Sequence, residues 1–132
     1  MPRVGTKIQK RRKETGEPKN FIIDLDRCVC EIDTLDPKSL KHAKEIPGAR
    51  DWVNQMRSKR NKICFFASRP ESMRELTEQW LSSHGFHYDS LVLGKPLANS
   101  FHYIDDRHVR ATTFRGRYTK LVRKEHRIEV FS

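Results

Sequence analysis

The apolar residues of this chain fall into short runs of two different periods. Phe21, Ile22, Ile23 and Leu25 make a run of strand length, and so do residues 63–67 and 91–93. Residues 101–104 read as a fourth strand and 128–131 as a last one. Between the first two runs the period lengthens. Ala49, Trp52, Val53 and Met56 recur at helical spacing after the Ile46-Pro47-Gly48 turn, which predicts a helix over 49–60. Met73, Leu76, Trp80 and Leu81 mark another, opening near Ser72 and stopping at Ser83-His84-Gly85, where glycine suits a left-handed cap. Residues 31–47 read as irregular with a helical turn at 39–43, and 107–114 as a loop or short helix. Tyr118, Leu121 and Val122 suggest a helix over 117–125. There is no internal repeat. Strands alternating with helices predict a single α/β domain with a mainly parallel sheet over residues 20–132.

Composition narrows the class. The chain has 132 residues, enough for one domain with a modest core. No apolar run is long enough to span a bilayer, so no membrane partner is expected. The basic start lacks the apolar stretch of a secretory signal. Three cysteines make no disulfide framework, and Cys28 and Cys30 have no second pair at zinc spacing. These features predict an intracellular, cytoplasmic, reducing setting. Cys64, Trp52 and Trp80 read as core residues.

Charge adds a partner class. The formal net charge is +10, and an excess of that size points to a polyanion such as nucleic acid. It lies in two clusters. Lys7, Lys10, Arg11, Arg12, Lys13 and Lys19 belong to residues 1–19, which read as a flexible basic extension. Arg107, Arg110, Arg115, Arg117, Lys120, Arg123, Lys124 and Arg127 form the other. Each is also what a solvated tail or helix face would carry. No feature specifies an oligomeric state.

The chemistry lies at the strand ends. In open parallel sheets, ligands bind at the carboxyl edge. Four predicted strands deliver Asp24 and Asp26, Ser68 and Arg69, Lys95, and Asp105 and Asp106 to that edge. Four carboxylates gathered there repel one another, and a bound cation would relieve them. Hard oxygen ligands favour Mg²⁺.

The stretches IIDLDRCV, KICFFASRPES, LVLGKP and HYIDDR, in that order, resemble the four motifs of the haloacid dehalogenase-like (HAD) phosphohydrolase superfamily. The likeness covers residues 21 to about 114 and is nearest to its small capless phosphatases. It implies a Rossmannoid three-layer sandwich without a large cap, and an open site for a phosphorylated substrate, including bulky ones. It also implies roles. Asp24 would be the nucleophile that forms an aspartyl-phosphate, and Asp26 the general acid and base. Lys95 would offset negative charge, and Ser68, Arg69 and Arg27 would contact substrate. Mg²⁺ would be held by Asp24, Asp26, Asp105 and Asp106.

Three positions depart from the family pattern. Arg27 stands where the family has glycine, Cys28 where it has threonine, and Ala67 at the usual hydroxyl position, with Ser68 one residue later. Arg27 fits there if its backbone angle is ordinary, and Cys28 beside an aspartate is a candidate redox-sensitive thiol. Three functions follow: a Mg²⁺-dependent phosphatase, an inactive HAD-fold protein bound to RNA or a ribonucleoprotein, or a phosphatase of nucleic-acid ends. The basic ends serve the last two.

Overall fold

The computed structural model describes residues 4–8, 18–32, 34, 36–118 and 127–131. Its centre is a parallel sheet of β2 (Asn20–Ile23), β5 (Lys62–Phe66) and β6 (Ser90–Val92) in the order β2-β5-β6. Phe21 lies opposite Ile63 and Phe65 opposite Leu91, so one face carries an unbroken apolar band. The chain moves across the sheet in one direction. Right-handed crossovers therefore place α2 (Ala49–Ser58) and α3 (Arg74–Ser83) on the same face. That face is the core: Ile63, Phe65, Ala67, Val53 and Leu81 are fully buried.

Residues of the opposite parity have a different fate. Ile22 is 54% exposed and Val92 44%, and Cys64 between them is half-buried rather than the core residue its apolar run suggests. The described residues thus form an α/β unit with flanking helices and no cap. Of the two tryptophans, Trp80 is buried, with its indole N–H on the Ala43 carbonyl at 2.9 Å. Trp52 is only partly covered, edge-on to Phe21.

The helix boundaries have local causes. Gly48, at φ 84°, precedes α2 with Asp51 in the first turn; an acidic side chain there favours the positive end of the helix dipole. The helix ends at Ser58, two residues before the expected end, and Arg60 turns the chain at φ 70°. A 3₁₀ turn, Glu71–Met73, leads into α3. Gly85 then closes α3 as expected. At φ 75°, it donates to the Ser82 carbonyl at 3.1 Å, and Phe86 to that of Leu81 at 2.9 Å. This is a Schellman cap.

Between β2 and α2 the chain is more ordered than its prolines suggest. A hairpin of β3 (Cys30–Glu31) and β4 (Lys44–Glu45) encloses α1 (Pro37–Lys41). Asp36 caps α1, accepting from the Ser39 N–H at 2.8 Å, and Leu40 anchors it in the core. Residues 4–8, inside the segment expected as an extension, form β1 (Val4–Ile8). It pairs antiparallel with β7 (Arg127–Phe131), the expected last strand. Most of the basic tail, and the expected helix beyond Tyr118, lie outside the described residues.

The predicted fourth strand is absent. Residues 101–105 have no regular structure, and Phe101, Tyr103 and Ile104 are 59%, 58% and 69% exposed. Alternation supplies propensity, but a strand persists only by pairing and by covering its apolar face. Here the Phe101 ring instead lies 4.6 Å from the Lys95 ammonium.

Candidate functional site

Three of the four predicted strand ends do converge. Because β2, β5 and β6 are parallel, Asp24, the run from Ala67 to Arg69, and Lys95 emerge at one edge. Two bonds tie the second and third ends together: Lys95 N–H donates to the Ala67 carbonyl at 3.0 Å, and Gly94 N–H to that of Arg69 at 2.8 Å. Gly94 takes φ 77° to make this turn.

Lys95 reaches back toward the first strand. Its Nζ stands 3.5 Å from Asp24 Oδ1, with Lys95 13% and Asp24 36% exposed. A mostly covered ammonium beside a solvent-accessible carboxylate leaves Asp24 open to an incoming group, with positive charge already in place.

Asp26 is placed quite differently. Arg69 is fully buried and grips both of its carboxylate oxygens, Nη2 to Oδ1 at 2.7 Å and Nε to Oδ2 at 3.2 Å. Paired bonds of this kind are strong and directional. The third side of the guanidinium donates to Thr77 Oγ1 at 2.8 Å, and Thr77 in turn donates to the Met73 carbonyl at 2.7 Å. A continuous chain of bonds therefore runs from α3 to the first motif. Arg69, expected to contact substrate, is instead a structural partner of Asp26.

Thr77 escaped the sequence reading, yet a signal was present. It lies four residues after Met73 and three before Trp80, a polar residue inside the apolar stripe of α3.

The turn after Asp26 is tight. Arg27 N–H donates to the Cys30 carbonyl, and Cys28, Val29 and Cys30 all donate to the Leu25 carbonyl. These four amides are used inside the turn, so they offer no cradle for phosphate. Arg27 has φ 67°, the left-handed conformation that glycine adopts freely. Its backbone is therefore not at the ordinary angle that would let an arginine sit there without strain. The Arg27 side chain is exposed and lines an adjoining cleft.

Burial, then the neighbouring Asp24, pushes the Cys28 thiol up to about 11. Burial likewise raises Cys30 to about 12, partly offset by Arg69. A thiol that burial keeps in its protonated form is a weak nucleophile, which counts against Cys28 as a redox-sensitive candidate. Tyr118 donates its hydroxyl to the Cys28 carbonyl, which binds residues 114–118 to this turn. Ser68 is half-buried one residue past the fully buried Ala67.

Asp105 and Asp106 do not join this group. Both are exposed, and Asp105 is occupied locally by the Tyr103 hydroxyl at 2.7 Å and the Arg107 N–H at 2.9 Å. Those two bonds hold its carboxyl below the usual range. Among the described residues, no group of three or more His, Cys, Asp or Glu side chains is placed to hold a metal ion. As they stand, Asp24, Asp26, Asp105 and Asp106 do not fit Mg²⁺. The physical reason is the missing fourth strand, which would have brought the acidic pair to the sheet edge.

No family model and no curated protein matches the sequence. Solved structures do. An MCSG target from Vibrio cholerae is similar over 70% of this chain and 83% of its own, at 24% identity and a TM-score of 0.53. Two chains of the Pnkp1/Rnl/Hen1 RNA repair complex match over 72% and 74% of this chain, each at 20% identity, with TM-scores of 0.53 and 0.55. This chain spans only 31% and 34% of those longer ones. At such identities the likeness is one of fold. Among the described residues, no helix is long and apolar enough to cross a membrane.

Proposed function

We propose that this chain is a phosphatase of the HAD type, with Asp24 as nucleophile. The observation that carries the reading is Lys95 Nζ, 3.5 Å from an accessible Asp24 carboxylate at the carboxyl edge of a parallel sheet. An Asp24 oxygen attacks phosphorus, the ester P–O bond breaks, and the departing oxygen takes a proton. Water then attacks the same phosphorus, the bond to Asp24 breaks, and orthophosphate leaves. Lys95 offsets charge on the phosphoryl oxygens in both steps. Ser68 and the Arg27 side chain are the donors left to hold phosphate, because the turn amides are already used. Asp26, held in place by Arg69, is the expected proton donor.

The test is phosphate release from an aryl phosphate and from 3′- and 5′-phosphorylated oligonucleotides. Asp24→Asn should abolish it, and equal release by that variant would overturn the reading. The assay is run with Mg²⁺ and with a chelator. Strict Mg²⁺ dependence would require Asp105 or Asp106 to come to Asp24, and Asp105→Asn would then remove it.

A second reading rests on one observation. Arg69 holds Asp26 by both oxygens, which suits a site retained for structure. In that case the chain is a nucleic-acid-binding or ribonucleoprotein subunit on a phosphatase fold. Absence of turnover in a folded, Mg²⁺-supplied sample would favour it.

A further inference from the structure

Two neighbouring clefts lie on the side of the molecule that carries Arg27 and Tyr118. The first, of about 770 Å³, is lined by Arg27, Glu31, His42, Lys44 and Phe114. The second, of about 540 Å³, is lined by Trp52, Gln55, Arg117 and Tyr118. Pro47 and Gly116 line both, so the two clefts lie side by side as one grooved surface.

Its wall has two properties that rarely coincide by chance. It is aromatic: Trp52, Tyr118 and Phe114 follow one another with ring centroids 5.5 and 4.7 Å apart. Trp52, Tyr118 and Phe114 stay partly exposed along it. It is also basic. Arg27, Lys44 and Arg117 line it and are exposed, and Glu31 is the carboxylate among its described lining residues. Rings for bases to stack on, interleaved with cations for the backbone, are what a sequence-tolerant single-strand site requires. Each cleft has the volume of a pocket for a small organic molecule, room enough for a nucleotide.

We infer that this groove binds single-stranded nucleic acid, laid from Arg27 and Phe114 toward Trp52 and Tyr118. The groove is held to the first-motif turn by the Tyr118 hydroxyl on the Cys28 carbonyl, so a strand in it begins beside Asp24. That placement of the strand end, unlike the binding itself, rests on the phosphatase reading. It assigns the substrate class as a phosphorylated strand terminus.

Trp52 makes the test direct. The other tryptophan, Trp80, is buried, so quenching by bound bases reports on the groove. The full chain is titrated with a short oligothymidylate lacking terminal phosphate. Quenching is expected, absent in Trp52→Phe, with affinity falling as salt rises. Lys44→Glu combined with Arg117→Glu should weaken binding about tenfold or more, and the salt slope should fall by about 0.7 for each phosphate no longer neutralised. Phe114→Ala should weaken it at every salt concentration. A terminal phosphate should tighten binding, and Lys95→Ala should erase that gain. Undiminished affinity in both groove variants would assign binding to the basic tail and overturn the inference. Equally tight binding of a duplex would overturn it too. An unchanged affinity on adding the phosphate would overturn the placement of the strand end. Binding without phosphate release would leave the groove standing and sink the phosphatase reading.

Discussion

Residues 21–26, FIIDLD, and residues 101–106, FHYIDD, are nearly the same kind of sequence: an apolar run of strand length ending on two aspartates. They end in opposite states. The first pairs with β5 residue for residue, and its second aspartate meets a buried arginine. The second has no partner strand, and its acids are exposed. What separates them is not local propensity but what the rest of the chain brings. β5 and α3 supply a ladder, a core face and Arg69 to one run and nothing comparable to the other. A motif becomes a site only when its neighbours satisfy its charges.

The largest test of that contrast removes Arg69. Arg69→Ala leaves Asp26 only 15% exposed with no cation to meet it, and also empties a buried volume beside Thr77. A loss of about 3–5 kcal/mol is expected in urea denaturation, the usual cost of breaking a buried ion pair from one side. Phe65→Ala, at a fully buried ring, should cost a similar amount. Asp106→Asn should stay within about 0.5 kcal/mol of the wild type, since it changes only exposed surface. A large loss from Asp106→Asn would mean that residues 101–106 are paired in solution after all.

The same contrast explains how much could be read from the chain alone. Helices α2 and α3 were legible because their apolar spacing coincides with strong stop signals, Gly48 before one and Gly85 after the other. The carboxyl-edge meeting of Asp24 and Lys95 was legible because parallel pairing follows from strand–helix alternation. The Arg69–Asp26 pair was not, for both residues read as facing the ligand. Nothing in a linear sequence says that a guanidinium will turn inward until Thr77 is seen to complete its bonds. Residues 101–104 failed for the complementary reason: period-2 alternation carries no information about whether a partner strand exists. Residues 36–41 show a third case, in which Asp36-Pro37 was a helix start hidden among turn-forming residues.

A smaller effect distinguishes geometry from charge at the first-motif turn. Arg27 sits in the left-handed region, which costs a residue with a Cβ about 1–2 kcal/mol. Arg27→Gly relieves that strain, while glycine's greater freedom in the unfolded chain takes back part of the gain. A net stabilisation of about 0.5–1 kcal/mol is expected in urea denaturation. Arg27→Ala keeps the strain and should not stabilise. If both variants behaved alike, the left-handed angle would be wrong and the side chain alone would matter.

The smallest effect sits at the other end of the sheet and is read through pH. Asp89 Oδ2 accepts the Ile63 N–H at 2.9 Å, and Arg57 and Lys62 lie within ion-pair reach of Oδ1. The backbone bond first, then Arg57, holds its carboxyl below the ordinary 3.8. A depressed folded value means that the charged form is the stabilising one. Its contribution is complete above the unfolded value and is lost as pH falls through the lower folded value. Asp89→Asn can still accept the Ile63 bond but loses the charge. It should therefore be less stable than wild type by under about 1 kcal/mol at neutral pH, because exposed pairs are screened. The two stability curves should converge as the solution is acidified below 3.8. Asp105 is also depressed, but its partners Tyr103 and Arg107 lie only two residues away and can meet it in the unfolded chain as well, so Asp105→Asn should show a smaller pH-dependent difference in stability. A gap for Asp89→Asn that persists unchanged into acid would locate its cause in the hydrogen bond rather than in the charge.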